Sequence, residues 1–205
     1  MQSFDALLVD AGTGNLHSVY NALISQGFRI KITRDPQDLK QAGRVILPGV
    51  GAFRSFMDGL NRFNLIEGLA AAVRRGDPLL GICVGMQALF NFSTEMGQHP
   101  GLGLLPGSVI RFPEFEDLKV PHTGWNQLHH NHTQTLLSGI PSGSYAYFNH
   151  SYYCAPQDSQ QHLTLTDYGI SFCSAAQHEN IYGVQFHPEK SQRVGLRLLA
   201  NFINM

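Results

Sequence analysis

Leu79-Leu80-Gly81-Ile82-Cys83-Val84-Gly85-Met86-Gln87 carries no charge, and its two halves ask for different structures. The first five residues form an apolar run of strand length, the pattern of a strand buried on both faces of a sheet. Residues 84–92 read as a helix. No turn residues separate the two, so the chain must reverse at Cys83. Gly81 and Gly85, two residues to either side, leave room for so sharp a reversal. This is the form of a nucleophile elbow, with Cys where many hydrolases carry Ser. The turn strains the central residue and stands its side chain at the carboxyl end of the sheet, before a helix N-terminus. Free N–H groups and the positive dipole end there favour a thiolate. The competing reading is a buried, inert cysteine, the commoner fate of the residue. The pentapeptide in its strand–helix setting favours the nucleophile.

Working outward, Ala6-Leu7-Leu8-Val9 and residues 44–48 are apolar strands, and residues 28–32 alternate as a strand. Residues 15–26 have helical spacing at Leu16, Val19, Tyr20, Leu23 and Ile24 and stop at Gly27. Residues 65–75 are helical and stop at Gly76. Strand–helix alternation up to about residue 95 predicts an α/β fold: a doubly wound, mostly parallel sheet with helices on both faces. Beyond it the pattern changes. Residues 144–153, 162–166 and 181–186 are short alternating runs that predict an antiparallel β extension, and residues 192–202 are helical again. No repeat, low-complexity segment or linker interrupts the chain, so residues 1–205 are expected to form a single domain.

Composition narrows the class. The 205 residues carry a formal net charge of −1, and 14% are charged, against about a quarter in typical domains. A lean charged surface points to a face covered by a partner, although 21 Gly and 10 Pro also dilute the charge. Three cysteines, Cys83, Cys154 and Cys173, argue against a disulfide framework. Asp5 and Asp10 flank the only early apolar run, unlike a secretory leader. Residues 78–93 lack charge but are shorter than the ~20 residues of a membrane span and are broken by Gly81, Gly85, Gln87 and Asn91. A reducing, cytoplasmic setting is expected. No basic run or acidic tail suggests a nucleic-acid or membrane partner.

A thiolate that attacks an amide needs a proton donor for the leaving amine, usually histidine. Ten histidines are available. His187 stands out in His187-Pro188-Glu189, at the end of the run 181–186. Glu189 can accept the second ring N–H and fix the tautomer. From the tripeptide alone, a surface loop with an incidental ion pair is the stronger reading. The rival cluster His129-His130-Asn131-His132 offers imidazoles for a metal. It has no cysteine or paired carboxylates at ligand spacing, which favours a polar loop. Pro48-Gly49-Val50-Gly51 places glycines just after a strand, where backbone N–H groups can approach a ligand oxygen. The Val84 N–H would be the second donor of such an oxyanion hole. A plain strand–helix turn is the stronger reading of that loop in isolation. Gly12-Thr13-Gly14 lacks the third glycine of a dinucleotide fingerprint, since position 17 is His.

Three elements therefore stand in order: Pro48-Gly49-Val50-Gly51, the segment 81–87, and Gly183-Val184-Gln185-Phe186-His187-Pro188-Glu189. Together they resemble the class I glutamine amidotransferases. Segments 10–16, 120–126, 147–153, 186–191 and 198–202 extend the resemblance over nearly the whole chain. It implies that Cys83 attacks the side-chain amide of glutamine, and that His187 protonates the leaving ammonia and later activates water. It implies that Glu189 orients His187 and that Val50 and Val84 form the oxyanion hole. Gly51, Gln87, Ser151 and Tyr152 are implied as substrate-binding; Gln87 lies one helical turn from Cys83, on the same side. Segments 120–126 and 186–191 narrow the resemblance to subunits that pass ammonia to a separate (β/α)8-barrel cyclase in histidine biosynthesis. Asn15, Trp125, Tyr147 and Lys190 are implied to face that cyclase in a heterodimer. No metal or organic cofactor is implied. Thr123 and Asn149 depart from the residues frequent in the family, at positions outside the catalytic set.

One expectation stands apart from the resemblance. The glutaminase elements run from Gly12 to Glu189, so a synthase domain is expected on another chain. Three other readings stay open: a paralogue serving a different acceptor, a cysteine peptidase or related hydrolase on a similar sheet, and a non-catalytic partner that has kept the fold.

Overall fold

The computed structural model describes residues 4–13, 15–131 and 135–205. Gly14 of the first glycine loop and His132 of the histidine cluster lie outside the described residues. The chain opens with β1 (Ala6–Val9), α1 (Leu16–Ile24) and β2 (Ile30–Thr33). It continues through β3 (Val45–Gly49), α2 (Phe53–Arg62) and α3 (Leu65–Arg74) to β4 (Leu79–Cys83), which passes directly into α4 (Val84–Ala88). Four strands follow: β5 (Phe90–Ser93), β6 (His99–Pro100), β7 (Leu105–Arg111) and β8 (His122–Leu128). Next come β9 (Ser144–His150), β10 (Tyr152–Pro156), β11 (His162–Asp167), β12 (Ser171–His178) and β13 (Ile181–Val184). The last element is α5 (Gln192–Ile203).

Eleven strands form one sheet in the order β2-β1-β3-β4-β13-β12-β10-β7-β5-β6, with β11 added on β12. From β2 to β13 every pair is parallel, as the strand–helix alternation requires. Beyond β13 the sheet continues in mainly antiparallel pairs. β8 and β9 form a separate antiparallel hairpin. β1, β3 and β4 are buried at every residue, which explains their unbroken apolar sequence. α1 packs with α5, and α2 with α3 and α4, giving the two helical layers. Among the described residues no helix is long and apolar enough to cross a membrane.

Two local expectations are corrected. The helix expected over residues 84–92 ends at Ala88, and Phe90 already lies in β5. The carbonyls of Ala88, Leu89, Phe90 and Asn91 accept N–H bonds from Leu102, Leu104, Gly103 and Gly101. Partners from a distant segment thus replace the next helical turn. The run 144–153 is two strands in two different sheets, divided at Ser151. α2 is an element the sequence reading passes over, although Phe53, Phe56, Met57 and Leu60 have helical spacing and are buried.

The site follows from register. Gly49 of β3 sits opposite Cys83 of β4, and Ile82 opposite Val184 of β13. The glycine loop, the elbow and the segment 185–191 therefore leave the sheet side by side, at the carboxyl ends of parallel strands, where ligands of such folds bind.

Candidate active site

Cys83 has φ 55° and ψ −114°, a strained conformation of the kind that costs of order 1–3 kcal/mol. The neighbouring glycines show why the strain is held. A Cβ on Gly85 would lie 1.8 Å from the Leu47 carbonyl oxygen, and one on Gly81 2.6 Å from the Gly85 oxygen. α4 is pressed onto the end of β3, and only glycine fits at the contact. As the first residue of α4, Val84 has an N–H without a helical acceptor.

Cys83 lines a cleft of about 480 Å³. His187 lies on the same cleft and is 4% exposed. Its Nδ1–H donates to Glu189 Oε1 over 3.0 Å, which leaves the other ring nitrogen for the thiol. Burial alone would depress this imidazole. The bond to Cys83, the bond to Glu189 and the charge on both partners outweigh it and hold the group up at about 10. The backbone of His187 is pinned as well. Its N–H donates to the Tyr147 carbonyl at 2.8 Å, and its own carbonyl accepts from Ser191 Oγ at 2.7 Å. A protonated imidazole beside a cleft thiol can run acyl transfer: nucleophile, proton donor and orienting carboxylate are in contact.

Val50, Gly51, Val84, Gln87, Ser151 and Tyr152 all line this cleft, as do Asn15 and Lys190. Glu189 lies behind His187, on a small adjoining cavity. Trp125 and Tyr147 are outside the cleft. They pack edge to face at 6.1 Å, and Lys190 Nζ sits 5.5 Å above the Tyr147 ring. Trp125 is 47% exposed.

The structure adds residues the sequence did not single out. Glu95 lines the cleft and accepts the Phe53 N–H at 2.7 Å. Among the described residues it is the one acidic side chain lining the cleft, and it sits in a turn with no motif to mark it. Gln185 donates to Cys83 Sγ at 3.8 Å and accepts from Gln87 at 3.1 Å. It lies inside the quoted segment 183–189, so its place beside His187 was a usable signal. His150 and Asn149 also line the cleft. Cys154 and Cys173 face each other across β10 and β12. Burial pushes both thiols well up, far from thiolate chemistry. His130 binds the Ile140 carbonyl, and among the described residues no three metal-type side chains gather at one point.

Fold and cleft together define a class. The chain belongs to the class-I glutamine amidotransferase family, whose model, "Glutamine amidotransferase class-I", matches residues 7–205. Within that class it is 45% identical over 204 residues to imidazole glycerol phosphate synthase subunit HisH of Syntrophotalea carbinolica, covering 97% of this chain and 99% of that protein. It is 46% identical over 200 residues to the HisH subunit of Geobacter metallireducens, with 95% of each chain covered. Among solved structures, a glutamine amidotransferase superimposes with a TM-score of 0.75 over 98% of this chain and 100% of that one, at 19% identity. PurLQS from Thermotoga maritima gives 0.74 over 97% of each chain, at 20% identity. At such identities these two bear on the fold alone.

Proposed function

We propose that this chain is the glutaminase subunit of an imidazole glycerol phosphate synthase, a single cytoplasmic domain that hydrolyses glutamine and hands the ammonia to a cyclase subunit. The observation that carries the reading is the strained Cys83 facing a buried, protonated His187 backed by Glu189. The Cys83 thiolate attacks the side-chain carbonyl carbon of glutamine. Val84 N–H and the Val50 peptide stabilise the oxyanion. The tetrahedral adduct collapses, the C–N bond breaks, and His187 gives its proton to the departing ammonia. A thioester to Cys83 remains. The now neutral His187 takes a proton from water, hydroxide adds to the thioester, and glutamate leaves as the thiolate and imidazolium are restored.

Gln87, Gly51, Ser151 and Tyr152 hold the amino-acid end, and Glu95 supplies the carboxylate for its ammonium. The acceptor enzyme is a (β/α)8-barrel cyclase, bound as a heterodimer across Asn15, Trp125, Tyr147 and Lys190. Neither nucleic acid nor membrane is a partner. The relatives' printed names and the 45% identity support this assignment within the class. Glutamine turnover by the chain with a cyclase subunit tests it. Cys83→Ala should abolish turnover, while Cys154→Ala and Cys173→Ala keep most of it. Peptide cleavage without glutamine turnover, or a fully active Cys83→Ala chain, would refute it.

A further inference from the structure

Beneath the cleft lies a run of hydrogen bonds whose proton positions can be deduced. Asn126 Nδ2 donates to the Asp167 carbonyl at 2.8 Å, while its Oδ1 accepts the Gln127 N–H at 2.8 Å. The amide is therefore fixed, and its nitrogen must also donate to His122 Nε2 at 3.2 Å. His122 then carries its proton on Nδ1 and donates to His150 Nε2 at 3.1 Å. His150 in turn carries its proton on Nδ1 and donates to the Tyr152 carbonyl at 2.8 Å. A carbonyl at each end admits one tautomer for each ring, and a second proton on either would set two N–H groups against each other. Both rings are buried, at 2% and 6% exposure. His122 is stacked on Phe148 at 4.8 Å and Tyr168 at 4.0 Å; His150 packs 5.3 Å from both Phe112 and Phe172. Burial lowers the two histidines to about 4 and about 3, so both are neutral near pH 7.

The relay ends at the working part of the cleft. The Tyr152 carbonyl that accepts from His150 also accepts Gln87 Nε2 at 3.1 Å. Gln87 continues to Gln185, which donates to Cys83 Sγ. His150, Ser151 and Tyr152 line the cleft where β9 of the hairpin gives way to β10 of the main sheet. We propose that Asn126, His122 and His150 form a neutral relay that fixes the Tyr152 carbonyl and, through it, Gln87, making both histidines positioning residues for glutamine. The proposal rests on reading the cleft as the glutamine site. It gives the inner face of the hairpin a task distinct from that of its exposed aromatic face.

The test uses the full chain. His122→Phe keeps the aromatic stack but removes both hydrogen bonds and leaves His150 Nε2 unpaired. His150→Leu removes the donor to Tyr152, and His150→Asn places an amide N–H near the lost Nδ1. With the cyclase subunit present, KM for glutamine should rise about tenfold in His122→Phe and His150→Leu, with kcat changed less than about threefold, and His150→Asn should recover most of the loss. Calorimetric titration of glutamine into the same variants carrying Cys83→Ala should show matching losses of affinity. Nitrogen-15 NMR of the unmodified chain near pH 7 should show both rings neutral with the proton on Nδ1. Unchanged KM in both apolar variants, or a charged or Nε2-protonated ring, would overturn the relay alone. Failure of the Cys83→Ala chain with both histidines intact to bind glutamine would overturn the cleft assignment, and the positioning role with it.

Discussion

His187 sits in a buried setting between Cys83 and Glu189, and that decides which proton it can deliver. Its pKa is held up at about 10, above the ordinary value near 6.5, so the ring is charged at neutral pH and carries the proton that the proposed reaction gives to ammonia. A raised folded-state value stabilises the fold fully below about pH 6.5, and the gain is lost as pH rises through about 10. Glu189→Gln keeps a hydrogen-bond acceptor but removes the charge, so the imidazole pKa falls. The alkaline limb of the glutaminase pH profile should move to lower pH, and the rate should fall less than in His187→Ala. Equal and complete losses in the two variants would assign the carboxylate a direct chemical role. Cys83 and the His187–Glu189 pair were legible because their constraints are local: glycines two residues away, or a carboxylate two residues on. Gln185 lies 102 positions from the thiol it contacts, and His150 28 positions from His122. No local pattern encodes such meetings, because they depend on strand order.

The elbow shows how an element holds the strain of its central residue. Gly49 and Cys83 are opposite one another in neighbouring parallel strands, and α4 leaves immediately after Cys83. The helix clears β3 only because Gly85 has no side chain, since a Cβ there would meet the Leu47 oxygen at 1.8 Å. Backbone cannot yield as a flexible side chain can. Gly85→Ala should therefore push α4 away from β3, lower stability by about 1–3 kcal/mol and shift the melting temperature down by several degrees. Glutaminase activity should fall further than stability does, because the Val84 N–H rides on α4 and Cys83 is joined directly to its first residue. An unchanged melting curve would show that the glycine is not needed for packing. Strands of the parallel half were readable from their apolar runs, since burial on both faces leaves one solution. Residues 89–92 were not. Phe90 and Phe92 fit a helix as well as a strand, and the choice was made by amides of residues 101–105.

At the scale of the whole molecule, the β8–β9 hairpin is an element with two differently used faces. Trp125 and Tyr147 are opposite each other on the outer face, and His122 and His150 are paired across the same two strands. The Tyr147 carbonyl also accepts the His187 N–H, and the Tyr147 ring lies under Lys190, so a partner bound to the aromatic face touches a residue one hydrogen bond from His187. On the other side of the cleft, Val50 is flanked by Gly49 and by Gly51, whose φ of +86° and open surroundings permit its peptide to turn. Free ammonia made without an acceptor wastes glutamine, which gives coupling a purpose. The isolated chain should therefore be a poor glutaminase, with the Val50 N–H brought onto the oxyanion only when the cyclase and its nucleotide ligand are bound. One added donor is worth ~10²–10³ in rate. Turnover measured for the chain alone, with the cyclase, and with cyclase plus ligand should rise by that order, mainly in kcat. Lys190→Ala and Tyr147→Ala should shrink the rise, because each removes the Lys190–Tyr147 ring contact that lies between the partner's face and His187. A rate already maximal in the isolated chain would rule out the gating, and an undiminished rise in both variants would place the coupling in another part of the interface.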